Sequence, residues 1–491
     1  MNAPNPGPTP NYYTPQQNVY NSIEKSPYDI GRFRPKKRVN DPIFLVLFIA
    51  QFAGYIVLSV ISLSSWTGNS GGGEGLGQGN DGTSVTLNSS TAYLLLLVTA
   101  AALVLSISYL MLTRMFTRLI MHITLILSIV LNIGICIYYW YTKYYSGAII
   151  FTIIALFSIF VYYGMRSRIP LASLLLQVVV DVSKHHKSVF LVSFLALLVQ
   201  AALSVWYVFI TMATYLKWTP GSASCNTGTS CSSSKVAGLI VYATFSYLWT
   251  SQVVGNVALV TMSGGPFGSW YYFGPRELGE MPAHPTRSAF VRASTLSLGS
   301  IAFGSLIVTL LELVRMMLNA LRSSGDGFCP QAIFLCCAEC LVGFIESLVQ
   351  YFNRYAYIEI ALYGKPYIAA AKDTWRLIKD RGIDALINDS LVGLTMTMGA
   401  YLVGLLSSLF ASIYLKATSP AYNSNGQYTA PVLLFAFLIG IQCSLMLASS
   451  IEAGVSTIFV GLGEDPQVLA NRAPQLFSKI ASMYPQVVTG V

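Results

Sequence analysis

The sequence predicts an all-α fold, a polytopic bundle of transmembrane helices, and three observations predict it. Of 491 residues, 54% are hydrophobic and only 10% charged, whereas soluble globular chains carry about 25% charged residues. Apolar stretches near 20 residues recur along the chain, the length that crosses about 30 Å of hydrocarbon at roughly 1.5 Å per residue. The basic residues, finally, crowd into alternate connecting segments.

Ten spans are expected, at 43–65, 92–112, 119–141, 147–165, 188–211, 237–262, 295–319, 331–352, 390–414 and 432–455. No basic leader with a short apolar core and a cleavage site precedes the first, so span one is expected to double as the insertion signal. With the N-terminus in the cytoplasm, both termini lie inside. Of the 29 Lys and Arg residues, 23 then fall on the inner side and 6 on the outer. That is a positive-inside bias. The formal charge of +9 therefore reports topology, and no nucleic-acid partner is expected.

The connecting segments follow in order. Residues 1–41 are basic and rich in Pro, Asn, Gln and Tyr without periodicity, and a disordered cytoplasmic N-terminus is expected. Residues 42–463 make the membrane domain and 464–491 a cytoplasmic tail. The external loop 66–91 holds "GNSGGGEGLGQGN". No strand precedes these glycines and no Gly-Lys-Ser/Thr closes them, so they read as a tether and not a phosphate loop. Asn88, in Asn88-Ser89-Ser90, is a candidate glycosylation acceptor. Cys225 and Cys231 share an external loop where oxidation is permitted, and are candidates for a disulfide. Cys336, Cys337 and Cys340 lack a second ligand pair and lie in lipid, so they read as small packing residues, and no metal site is expected. "LASLLLQVVVDV" after Pro170 is too short to span, and an amphipathic helix on the inner interface is expected near 170–187. A second is expected near 366–387, where Gly364-Lys365-Pro366 breaks the preceding span and "YIAAAKDTWRLIKDR" carries the charge.

Polar groups inside the spans are the functional candidates, because an ionisable side chain at the bilayer centre costs about 2.5–3.5 kcal/mol on insertion scales. Glu339, Gly343, Glu346, Gln350, Asn353 and Tyr357 recur at helical spacing and form one narrow stripe on span eight. Such a stripe lines a water-accessible path or seals a helix–helix seam, and the sequence leaves both open. In span seven Glu312 and Arg315 stand close enough to pair, for structure or for function. Ser300 and Gly304 give that span a face for close packing. In span six Trp249, Gln252 and Asn256 share a face. A Trp ring beside amides suits an organic cation, and equally suits packing.

Several stretches together resemble the choline transporter-like family, specifically its fungal pH-nine-sensitive branch. They are "RPKKRVNDPIF", "LWTSQVVGNVALVTMSGGPFGSWYYF", "PAHPTRSAFVRASTLSLGSIAFGSLI" and "STIFVGLGEDP". The most distinctive is the run Asn353, Arg354, Ala356, Tyr357 and Ile358, followed by Tyr363 and Gly364. The resemblance implies a ten-span solute carrier of the plasma membrane with both termini cytoplasmic; animal members are associated with choline uptake. The cysteine-containing loop that those members carry after span one is absent from this sequence, so nothing that depends on it transfers.

The leading expectation is thus a carrier for a small organic solute, choline or a related amine. Trp249, Gln252 and Asn256 would help line the site, and Glu312, Glu346, Gln350, Asn353 and Tyr357 the path. The alternative is a non-transporting scaffold whose basic inner segments bind anionic lipid headgroups. An enzyme is not expected: His122, His185, His186 and His284 are scattered without metal or triad spacing, and no cofactor is implied.

Overall fold

The computed structural model describes residues 38–68, 89–143, 145–220, 232–275, 281–323, 330–381, 383–418 and 429–483. Among these residues the chain forms sixteen α-helices and no strand. Ten are long: α1 (Pro42–Gly68), α2 (Ser89–Met115), α3 (Thr117–Tyr141), α4 (Tyr145–Met165), α6 (Ser188–Trp218), α7 (Ser233–Met262), α10 (Leu298–Ser323), α11 (Pro330–Tyr363), α13 (Ile383–Thr418) and α14 (Thr429–Glu464). The short helices are α5 (Ile169–His185), α8 (Gly268–Phe273), α9 (Pro285–Val291), α12 (Tyr367–Arg381), α15 (Pro466–Arg472) and α16 (Pro474–Met483). The ten stretches expected to span coincide with the ten long helices.

Seven of the long helices (α1, α2, α3, α6, α10, α13 and α14) are apolar and long enough to cross a membrane on length and composition alone. Their outward faces expose side chains such as Val60, Leu96, Leu119 and Leu405. On a soluble protein an apolar surface this extensive would drive association, so lipid is its solvent. The chain is an all-α membrane bundle. Of the remaining three, α7 carries amides and α11 carries amides and acids, and both stand at the centre of the bundle, each touching the other, α10 and α14.

Consecutive helices pack as antiparallel pairs, α3 with α4, α6 with α7, α10 with α11 and α13 with α14. Water gives no hydrophobic drive between helices in lipid, so small residues that admit close backbones carry much of the packing. At the α13–α14 crossing a Cβ placed on Gly440 would stand 2.8 Å from the Cα of Gly404. Gly304 on α10 is similar: a Cβ there would lie 2.5 Å from the Tyr357 hydroxyl. The small-residue face expected at Ser300 and Gly304 is thus an observed contact.

Helix α5 departs from expectation. It begins where predicted, at Ile169, but it does not float one face on an interface. Leu171–Leu176, Val178–Val180, Val182 and Ser183 are all buried, and α2, α3, α13, α14 and α16 surround it. A helix that is apolar all round belongs in a core, and "LASLLLQVVVDV" has no polar face to float on. Its single acid, Asp181, pairs with Arg114 of α2 at 2.5 Å.

The end of the bundle where α7 meets α9 is knitted by backbone irregularities. After α7 the segment Ser263–Phe267 forms a π turn with Pro266 inside it. Arg292, in a second π turn (Arg292–Leu296), donates to the Gly264 carbonyl at 2.9 Å, tying the two irregular turns together. The N-terminal segment expected to be disordered ends in two ordered residues. Asn40 donates to the Gly364 carbonyl at 2.9 Å, and Asp41 accepts from Ser300 at 2.6 Å and from the backbone N–H of Tyr367 at 2.8 Å. Asp41 thereby caps α12 from across the fold, holding a left-handed φ of 50° to do so. In the tail, α15 and α16 return to the bundle and bury Leu469, Leu476 and Ile480.

Candidate functional site

The stripe on α11 comes first, because one continuous helix carries all of it. Its outer half faces α10 and is neutralised there. Glu339 pairs with Arg322 at 2.8 Å and Glu346 with Arg315 at 3.2 Å, while Gln350 donates to the other Glu346 oxygen at 3.1 Å. Glu312, one turn along α10 from Arg315, stands close to Gln252 of α7 and near enough to Glu346 for the two charges to interact. Glu312 and Arg315 are therefore not simply each other's partners; with Glu346 they form a three-charge cluster spanning α10 and α11, with Gln252 of α7 beside it.

The inner half of the stripe faces open space. A cavity of about 410 Å³ lies between α6, α7, α10, α11 and α14, and Gln350, Asn353 and Tyr357 form one of its walls. Gln252 and Asn256 on α7, Gln200 on α6 and Gln442 on α14 complete an amide-rich lining. The two readings of the stripe thus divide along its length: seam toward Glu339, cavity wall toward Tyr357.

Hydrogen bonds sort the lining groups into fixed and available ones. Asn353 is almost fully buried; it donates to the Gly304 carbonyl at 3.0 Å and accepts from the Tyr367 hydroxyl at 2.5 Å. It pins α11 to α10 and α12 as much as it faces the cavity. Asn256 donates to Ser305 at 2.9 Å, and Ser305 and Tyr357 share a hydrogen bond at 3.4 Å. Gln200 donates to the Ser251 carbonyl at 3.3 Å. Gln442 makes no hydrogen bond with a described residue and presents its whole amide to the cavity.

Trp249 stands apart from this group. Its ring is 3% exposed and packs between Phe48 and Phe245, each centroid 5.4 Å away. Its indole N–H is spent on the Ala302 carbonyl at 3.0 Å. It closes the seam between α1, α7 and α10 and lends no ring face to the cavity, although Gln252 and Asn256 from the same helix do line it.

The sequence reading overlooked one acid. Glu452 falls inside the tenth expected span, 432–455, and pairs with Arg354 of α11 at 2.9 Å. Arg354 lines the cavity beside Asn353, so the pair ties α11 to α14 at the cavity's edge. The signal was available, since any carboxylate within a span is costly until paired. Gln200 and Gln442 were overlooked for a different reason: isolated amides carry no periodic pattern.

Beyond the cavity α11 continues toward Gly364. Its 34 residues reach about 51 Å at roughly 1.5 Å per residue, well beyond about 30 Å of hydrocarbon. Ala356 and Ile358 are fully buried there. The Tyr363 and Tyr272 hydroxyls stand 2.7 Å apart and 3.0 and 2.7 Å from one Asp465 oxygen, a triad in which two hydroxyl protons serve three contacts. Gly364 ends the helix at φ 66°, a conformation that favours glycine. Lys365 then bridges Glu359 at 3.0 Å and Asp373 at 2.7 Å. Burial, and after it the neighbouring Glu464 carboxylate, push the Glu359 pKa up, with Lys365 pulling the other way. Burial disfavours charge on Lys365, but the Glu359 and Asp373 carboxylates outweigh it and leave the lysine raised. Cys225, Cys231 and Asn88 lie outside the described residues.

Fold and site together define a multi-pass α-helical membrane protein built around a polar internal cavity. The chain belongs to the choline transporter-like family: the family model described as plasma-membrane choline transporter matches residues 149–467. It is 59% identical over 466 residues to Protein PNS1 of Cryptococcus neoformans var. neoformans serotype D, covering 94% of this chain and 84% of that one. It is 44% identical over 494 residues to Protein PNS1 of Mycosarcoma maydis, covering 99% and 91%. Against Protein PNS1 of Saccharomyces cerevisiae the identity is 38% over 502 residues, covering 99% and 92%.

Proposed function

We propose that the protein is a plasma-membrane solute carrier that spans the bilayer ten times, keeps both termini in the cytoplasm, and moves a small polar organic solute through the central cavity. The observation that carries this reading is the 410 Å³ space lined by amides from four helices, in the middle of a bundle whose outside is apolar. A scaffold needs no such space, and filling it with side chains would stabilise the fold. A helix bundle keeps a polar hollow at that cost when the hollow serves a ligand.

Choline is the first solute to test, because the family model carries that description. Its hydroxyl would find amide partners at Gln442, Gln350 and Gln252. Its quaternary ammonium would meet amide oxygens and the Tyr357 edge, with Glu312 and Glu346 one residue behind. Trp249 is not assigned a part in that contact. Labelled choline is expected to accumulate in vesicles containing the purified protein, above the level in protein-free vesicles, and Gln442→Ala and Gln252→Ala are expected to reduce uptake. Equal counts in the two kinds of vesicle would remove choline as the substrate.

A further inference from the structure

Helix α12 divides cleanly into two faces. Tyr367, Ala370, Thr374 and Leu377 are buried against the bundle. The opposite stripe carries Ile368, Lys372, Trp375, Arg376 and Lys379, at successive spacings of 4, 3, 1 and 3 residues, all of them exposed. Ile368 is 57% exposed and Trp375 65%. With Phe352 of α11 they bound a groove of about 730 Å³.

The charge on this stripe is unbalanced. Lys372 and Lys379 make no ion pair with a described residue, and the nearest described carboxylate to Arg376 is Asp373, 4.0 Å away. Asp373 itself turns toward Lys365 at 2.7 Å. Like charges one turn apart on a helix repel each other, and among the described side chains the only carboxylate within 4.0 Å of these three cations is Asp373, which Lys365 already holds, so the groove favours an anion from outside the chain. The aromatic and aliphatic walls call for something more. A soluble phosphate would leave Trp375, Ile368 and Phe352 in water, whereas a phospholipid offers acyl chains to them and a phosphate to the cations. Basic groups beside an apolar wall are the pattern of an interfacial lipid site.

We infer that the groove between Phe352 and α12 binds one anionic phospholipid of the adjacent leaflet, its headgroup on Lys372, Arg376 and Lys379 and its acyl chains on Ile368, Trp375 and Phe352. This site is separate from the solute cavity and does not depend on what the cavity carries.

The test uses the purified full chain exchanged into mixed phosphatidylcholine and phosphatidylserine, with retained lipid counted by native mass spectrometry. Wild type is expected to retain one phosphatidylserine in preference to phosphatidylcholine. The variant K372Q/R376Q/K379Q is expected to lose that preference by about a hundredfold, roughly fivefold per cation. A control variant, R118Q/K184Q/R287Q, removes three exposed cations from α3, α5 and α9 and is expected to behave as wild type. Trp375→Ala is expected to weaken retention of the intact lipid, and soluble glycerophosphoserine is expected not to displace it. Equal loss in both triple variants would mean unspecific surface charge and overturn the site. So would displacement by the soluble headgroup, or retention unchanged in K372Q/R376Q/K379Q; the single Lys379→Gln variant, expected to lose about fivefold, repeats the test should the triple variant fail to fold.

Discussion

At the scale of single residues, the fold turns on buried polar groups and on how each of them is met. Asn353 illustrates this, using both ends of its amide on Gly304 and Tyr367. Asn353→Ala leaves the Tyr367 hydroxyl buried without its acceptor, at about 1–3 kcal/mol, strips the Gly304 carbonyl inside α10 of its second hydrogen bond and opens a void where the amide stood. Tyr367→Phe removes a donor and leaves only the amide oxygen unmet. A thermal melt is therefore expected to show the alanine variant clearly less stable than the phenylalanine variant, and equal losses would show that Asn353 is not the pin. Glu359 behaves differently because it titrates. It is fully buried, with Lys365 on one oxygen and no partner on the other. Burial foremost and Glu464 next raise its pKa, so the folded state holds a proton that the unfolded chain has released. The stability linked to that proton is present below the ordinary carboxylate value of about 4.3 and is lost as pH rises through the raised folded value. Glu359→Gln keeps a neutral side chain at every pH. Its melting temperature relative to wild type is expected to improve steadily as pH increases, and a difference that does not change with pH would refute the linkage.

At the scale of elements, helix α11 was legible in the sequence and its role was only half legible. The 4, 3, 4, 3, 4 spacing from Glu339 to Tyr357 identified one face of one helix, because helical periodicity is written along the chain. What that face met was not written, because Arg322 and Arg315 approach from α10, while Gln200 and Gln442 approach from helices far away in sequence. Helix α5 shows the converse. Its short apolar run was found, but burial on every side depends on five neighbours that no local pattern records. Small residues read more directly: Ser300 and Gly304 announced a close contact and made one. The α13–α14 crossing extends that logic to a test. Gly440→Leu must push a side chain against Gly404 and Ser407, and overpacking of this kind costs about 1–3 kcal/mol. Gly134→Ala on α3 meets nothing within 4 Å and is expected to hold or raise the melting temperature, since alanine favours helix over glycine by roughly 1 kcal/mol. The two substitutions shifting the melt alike would contradict the packing described at Gly440.

At the scale of the whole molecule, composition and the spacing of apolar stretches were enough to predict a membrane bundle, and chain-long matches placed it in its family. The cavity was not predictable in the same way. Its lining comes from five helices separated by up to 260 residues, from Ser193 to Ala453, and amides do not announce themselves as carboxylates do. Trp249 was weighed from sequence as a cation site or as packing and packs between Phe48 and Phe245, whereas Gln442, unremarked, lines the cavity and makes no hydrogen bond with a described residue. The proposed carrier function makes one demand on this arrangement: a solute must occupy the space between α7, α11 and α14. Ser449, on the α14 side of that space, is open to it, so Ser449→Trp fills the cavity from within and leaves the Asn353 and Glu452 contacts in place. Uptake of labelled choline by wild type and by this variant, at matched protein and matched melting temperature, is the most direct measurement. Uptake falling to the level of protein-free vesicles is the predicted result; undiminished uptake through the filled bundle would contradict the cavity as the route.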